Sequence, residues 1–301
     1  PLSHAPSVPR TVHLTAMESI TVNLANVMSS VNHSLNGPFK WIPDATSFYE
    51  THSTILAASV VLYLPVIFGI QYLMKNREPF SLRIPLILWN VGLTIFSMAG
   101  FYYTFPEFMN NLMTRPFMQV ICDPDCFALS SSRWIFFFNV SKFFEFGDTI
   151  FIVLRKKPLI FLHYYHHVMT CIYCWYANQI SCSLNCTGWP FAVMNLFVHS
   201  LMYFHYGLAA AGIHFNWNVL LTSLQLLQMF AGIFVVSYAA TACPNSADFQ
   251  YGSIFALVMY FSYAVLFANF FFHRYCGKKR APRTATNGTN GTNGHSKTKK
   301  D

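Results

Sequence analysis

Charge is scarce in this chain. Only 10% of its 301 residues are Asp, Glu, Lys or Arg, against roughly a quarter in an ordinary soluble domain, which excludes a water-facing surface over most of its length. Acidic residues are the scarcer sign, 11 against 19 Lys and Arg. The N-terminal region has no basic stretch leading into a short apolar core, so no cleavable secretion signal is expected and the first apolar span serves for targeting. Eight cysteines are present, but they lack the repeated paired spacing of a zinc module. The one Cys171-x-x-Cys174 pair falls inside an apolar run, where cysteine packs as a small hydrophobe.

Apolar length is what the chain has instead: 54% of residues are hydrophobic and 18% aromatic. Runs near the roughly 20 residues that a bilayer demands cover 54–73, 84–105, 134–154, 161–179, 191–210, 217–240 and 251–273. These predict an all-α membrane protein with seven transmembrane helices. Residues 1–53 form an N-terminal segment, 54–273 the membrane domain, and 274–301 a basic tail rich in Asn-Gly-Thr that is flexible by composition.

Cations set the expected orientation. Lys75, Arg77 and Arg83 follow the first span, Arg155 to Lys157 the third, and Lys278, Lys279, Arg280 and Arg283 the seventh, so these segments share one face. The positive-inside rule makes that face cytosolic, with the N-terminus lumenal and the C-terminus cytosolic. The net charge of +8 then points to anionic headgroups or an anionic substrate, and no nucleic acid is expected. Cys122, Cys126, Cys182, Cys186 and Cys243 fall on the opposite face, where disulfides are permitted, and either Cys122 or Cys126 is a candidate to bridge to Cys243. Asn32 opens a lumenal glycosylation sequon.

Ionisable and polar groups interrupt four spans at helical spacing. Lys142, Glu145 and Thr149, with Asp148 beside them, lie on the third; His163, His166 and His167 on the fourth; Asn195, His199, Met202 and Tyr203 on the fifth; Thr222, Gln225 and Gln228 on the sixth. One such line can serve only to glue helices together. Four that must all face inward define a polar chamber. Glu145 and Asp148 have two open roles, as salt-bridge partners of Lys142 or as groups that orient a histidine.

Two chemistries suit clustered imidazoles: iron binding in a membrane oxygenase, or direct nucleophilic and base catalysis on a thioester. A di-iron lipid desaturase or hydroxylase uses three histidine boxes, and this chain has one. A transporter or channel with a metal or proton site is the alternative outside enzyme chemistry.

In order and spacing, Lys142-x-x-Glu145-x-x-Asp148-Thr149, His163-x-x-His166-His167, Asn195-x-x-x-His199-x-x-Met202-Tyr203 and Thr222-x-x-Gln225-x-x-Gln228 resemble the ELO family of fatty acid elongases. The resemblance implies an endoplasmic-reticulum 3-ketoacyl-CoA synthase that joins a fatty acyl-CoA to malonyl-CoA. It implies six of the seven helices forming an inverted barrel around an acyl tunnel, with span one outside. His166 would carry the acyl group as an acyl-imidazole and His199 would assist decarboxylation of malonyl-CoA. His163 and His167 would orient and polarise, with Glu145, Asp148, Asn195 and Gln225 contacting substrate or the histidines. No metal and no cofactor beyond the two CoA substrates enters this step. The implied partners are 3-ketoacyl-CoA reductase and the other cycle enzymes, membrane lipids and a second copy of the chain. Tyr164 after the first histidine, and Met113 to Asp123, resemble the branch acting on saturated and monounsaturated chains. Lys297 and Lys299 near the C-terminus resemble a dilysine retrieval signal.

Overall fold

A computed structural model describes Phe48 and residues 51–123, 129–180, 187–243 and 247–276. Every element among these residues is helical: α1 (Ser53–Leu73), α2 (Arg83–Thr114), α3 (Phe117–Cys122), α4 (Leu129–Phe144), α5 (Phe146–Leu154), α6 (Phe161–Ile180), α7 (Gly188–Ala211), α8 (Asn218–Ala242) and α9 (Ala247–Phe271), the last running into a π-helical turn, Phe272–Cys276. Helices satisfy their own backbone groups, which a hydrocarbon environment requires.

Among the described residues, α1, α2, α8 and the segment Phe249–Cys276 are long and apolar enough to cross a membrane. The chain is a multi-pass membrane protein. The expected third, fourth and fifth spans coincide with α4 and α5, α6, and α7. Helices α4 and α5 are each too short to cross alone, and in α6 and α7 the histidines and other polar groups dilute the apolar signal that marks the other four.

Two expected boundaries need correction. The second span continues as helix to Thr114, nine residues beyond the apolar run, because Pro106, Glu107, Asn110 and Asn111 end the hydropathy without ending the backbone hydrogen bonding. The third is not one continuous helix. It breaks at Glu145, whose carbonyl accepts the Asp148 N–H at 3.1 Å in an i to i+3 bond, and α5 starts afresh there.

Helix α2 packs on α7 and α4, α7 on α8, α8 on α9, α9 on α6, and α6 on α4. Helix α1 packs on α5 and α6. The largest apolar core joins α8 and α9 to α3 through Ile121, Val236, Ala239, Ala256, Met259 and Tyr263. Cys122, at the end of α3, is disulfide-bonded to Cys243, at the end of α8. Cys171 and Cys174 are buried free thiols. Asn32, Cys126, Cys182, Cys186 and the basic tail from Lys278 onward lie outside the described residues.

Candidate active site

A cavity of ≈690 Å³ runs between α6, α7, α8 and the turn after α9. His163, His166 and His167 line it from α6, Asn195, His199, Met202 and Tyr203 from α7, and Thr222, Gln225 and Gln228 from α8. Glu145 and Asp148 close it from α5 and the turn that precedes it. Of the residues singled out in the sequence, Lys142 and Thr149 stand behind this wall, both buried, and hold its members in place.

Helical spacing explains the imidazole arrangement. His163 and His167, four residues apart, bring their ring centroids to 4.4 Å, and His166 crosses His167 nearly at right angles at 5.5 Å. The His166 ring also lies 5.0 Å from the ring of Tyr263 on α9. The Tyr263 hydroxyl donates to the His166 carbonyl (3.1 Å) and shares a hydrogen bond with Thr170 (2.8 Å), tying the histidine turn to α9. His163 Nε2 meets Thr149 Oγ1 at 2.9 Å, and Thr149 in turn meets the Tyr63 hydroxyl at 2.6 Å. A residue on α1 therefore sets the hydroxyl that faces the first histidine.

Of the two roles open to the carboxylates, Glu145 fills the salt bridge and also stands beside a histidine, while Asp148 fills neither. Lys142 Nζ donates to Glu145 Oε1 at 2.6 Å and to Asn195 Oδ1 at 3.0 Å, forming a buried ion pair that reaches across to α7. The pair is further supported by Ser141, whose Oγ is 3.3 Å from the same carboxylate oxygen, and by the Phe138 ring 4.2 Å from the ammonium. His199 Nδ1 lies 3.6 Å from Glu145 Oε1, close enough for the carboxylate to bias which ring nitrogen carries a proton. Asp148 takes no part in that pair. Trp89 Nε1–H donates to its Oδ1 (2.6 Å) and the Tyr203 hydroxyl to its Oδ2 (2.7 Å).

Trp89 reaches Asp148 only because residue 147 is glycine. A Cβ there would stand 2.6 Å from the indole Cζ2, inside van der Waals contact with a rigid ring. On α8, Gln225 donates to the Met202 sulfur at 3.3 Å, and Thr222 shares a 3.3 Å contact with the Tyr275 hydroxyl. Arg155 and Arg274 line the same cavity beside Asn218 and Tyr275, so one end of the chamber is cationic. Among the described residues, no three His, Cys, Asp or Glu side chains converge as a metal site.

Tyr63, Trp89 and Tyr263 carry no mark in the sequence. Each is an aromatic in an apolar run, where such residues usually only pack, and none shares a spacing with the polar lines. The Gly147-Asp148 pair is the available signal, since glycine beside a buried carboxylate marks a place where something bulky comes close.

The chamber supplies clustered imidazoles, a carboxylate held in an ion pair and a cationic end, which suits acyl transfer from an anionic carrier. Comparison with known proteins agrees. The family described as GNS1/SUR4, or ELO, matches residues 48–283. The chain is 37% identical over 272 residues to very long chain fatty acid elongase 4 of Trypanosoma cruzi (strain CL Brener), covering 87% of this chain and 92% of that protein. It is 39% identical over 228 residues to very long chain fatty acid elongase 6 of Gallus gallus (74% and 84%), and 40% identical over 225 residues to that of Homo sapiens (73% and 83%). The family match spans all the helices described above, and the chain belongs to the ELO family of fatty acid elongases.

Proposed function

We propose that this chain, a condensing enzyme of fatty acid elongation, joins a long-chain saturated or monounsaturated acyl-CoA to malonyl-CoA through an acyl-imidazole on His166. The observation that carries this is the position of His166. It lines a cavity of ≈690 Å³ together with His163, His167 and His199 while its own backbone is braced by Tyr263. A nitrogen of the neutral His166 ring attacks the thioester carbon. The new C–N bond replaces the C–S bond, and the ring's proton leaves with the thiolate as CoA. Malonyl-CoA then loses CO2, and the carbanion left at its α carbon attacks the acyl carbonyl. A C–C bond forms, the C–N bond breaks, and the imidazole regains a proton from solvent.

His199 faces this second step. Its contact with Glu145, itself neutralised by Lys142, keeps the ring oriented toward the malonyl group. Arg155 and Arg274 at the cationic end are suited to CoA phosphates. Neither metal nor redox cofactor is drawn upon. Reduction of the 3-keto product falls to a partner 3-ketoacyl-CoA reductase.

The helix pairings support the finer architecture. Taken in turn, α2, α7, α8, α9, α6 and α4 each touch the next and the last touches the first, the arrangement of a six-helix barrel around the chamber, with α5 continuing α4 and α1 outside. The chain then makes seven spans, with basic turns in the cytosol, the N-terminus in the lumen and the membrane that of the endoplasmic reticulum.

Full-length protein incubated with palmitoyl-CoA and no malonyl-CoA tests the mechanism. Mass spectrometry should find stoichiometric CoA release and an acyl adduct on His166, with both lost in His166→Gln. His199→Ala should keep the adduct and lose condensation by about 10²–10⁴-fold. Undiminished CoA release in His166→Gln would remove His166 as the nucleophile.

A further inference from the structure

A second cavity, ≈570 Å³, lies on the basic face between the end of α1 and the turn after α5, and it shares no lining residue with the catalytic chamber. Its construction begins at the C-terminus of α5. Lys157 N–H bonds to the Ile152 carbonyl and Lys156 N–H to that of Val153, both at 3.0 Å, a Schellman closure. Such closures need a left-handed residue, usually glycine, and α7 uses Gly212 at φ +91° in the same way. At the end of α5 the position is held by Lys156, at φ +52°. A lysine there strains the backbone.

The Lys156 side chain spans to the neighbouring turn. Its ammonium donates to the carbonyls of Lys75 (3.1 Å) and Arg77 (2.9 Å), and the Phe80 N–H adds a second tie to the Leu154 carbonyl (3.1 Å). Two basic turns that would repel are thereby clamped together. The cavity between them is lined by Lys75, Lys156 and Lys157 together with Phe68, Tyr72 and Pro158, with no carboxylate among the described residues of its lining. Tyr72 is 77% exposed at the end of a membrane-crossing helix. Charges that served only to orient the chain would need neither the clamp nor a left-handed lysine.

We propose that this cavity is a binding site for an anionic phospholipid, with the headgroup phosphate between Lys75 and Lys157 and the acyl chains along Phe68 and Tyr72. Three ammonium groups around one concave surface repel each other, and a phosphate relieves that repulsion where water is already thinned by the bilayer. The apolar wall supplies what a soluble phosphate would not use. The site is independent of the acyl-transfer chemistry, so either can fail alone.

Tyr72→Trp in the full chain places a reporter in the cavity, read as its added fluorescence over the parent protein in nanodiscs. At equal mole fraction, brominated phosphatidylserine should quench it about fivefold more strongly than brominated phosphatidylcholine. Adding Lys75→Gln and Lys157→Gln should abolish the preference, whereas Lys278→Gln with Lys279→Gln should leave it. Equal quenching by the two lipids overturns the proposal without any lysine variant having to fold. It is equally overturned if the preference survives the loss of Lys75 and Lys157, or if inorganic phosphate competes it away.

Discussion

Helices α1 and α7 are similar in length, 21 and 24 residues, yet nearly opposite in character. Helix α1 buries only Leu56, Tyr63 and Ile67, while α7 buries half its residues, among them His199, Ser200, Tyr203 and His205. The first is apolar enough to be recognised as a membrane span and the second is not. The difference separates two meanings of hydrophobicity. A helix must be apolar on every face it turns to lipid, and α1 turns most of its surface outward. A helix enclosed by other helices can carry amides, hydroxyls and imidazoles provided its neighbours pair them.

If that contrast is right, the sharpest loss should come where the enclosed polar wall is broken. Lys142→Met strands Glu145 as a buried unpaired carboxylate beside α7, and removing one member of such a pair costs about 3–5 kcal/mol. Apparent unfolding temperature and the monodisperse fraction in detergent should both fall sharply. Lys142→Met with Glu145→Leu should recover much of the fold and none of the condensation. A Lys142→Met protein as stable as the parent would break the comparison outright.

A smaller loss is expected from Trp89→Phe, which leaves Asp148 Oδ1 without its donor, at about 1–3 kcal/mol for a buried acceptor. The same thermal assay reads it, and Tyr203 should still hold the other oxygen. Smaller again is Tyr63→Phe, the one substitution in α1 expected to matter. It removes a single neutral hydrogen bond to Thr149, about 0.5–1.5 kcal/mol, and should slow CoA release a few-fold because Thr149 also meets His163. Leu62→Ile, on the lipid side of the same helix, should stay within about 0.5 kcal/mol and leave turnover unchanged. Equal effects from Tyr63→Phe and Leu62→Ile would show that α1 has no tie to the histidines.

The same division explains what is legible in the sequence. Lipid-facing spans declare themselves by composition, and the four polar lines by spacing. His163, His166, His167 and His199 can be gathered from the sequence alone because each sits where water-loving groups are costly. Spacing favours Glu145, three residues on, as the partner of Lys142, but what Asp148 bonds to is not legible, since its donors Trp89 and Tyr203 come from other helices. Nor are Tyr63 and Tyr263, whose hydroxyls are invisible among 16 tyrosines. The break at Glu145 is hidden for a related reason: Gly147 and the aromatic and β-branched residues around it are weak helix formers, but inside an apolar run of membrane-spanning length they do not say where a helix will break. Lys156 has the sequence pattern of a topology charge, while its backbone angle and its reach to the next turn belong to the folded chain alone.

Helix α2 gives the molecule its asymmetry. Its 32 residues, at about 1.5 Å each, measure roughly 48 Å, while the hydrocarbon layer is about 30 Å thick. Its start is anchored at the basic face, where Arg83 donates to the carbonyls of Ala210 and Ala211. The excess must then emerge, or be shortened by tilt, on the other side, where Glu107 accepts a hydrogen bond from Ser131 and the chain turns into α3. The Cys122–Cys243 bond ties the short helix that follows this end of α2 to the end of α8. The last turns of α2, which carry Glu107, Asn110 and Asn111, therefore need not lie among lipid tails, and the fold can keep polar side chains there.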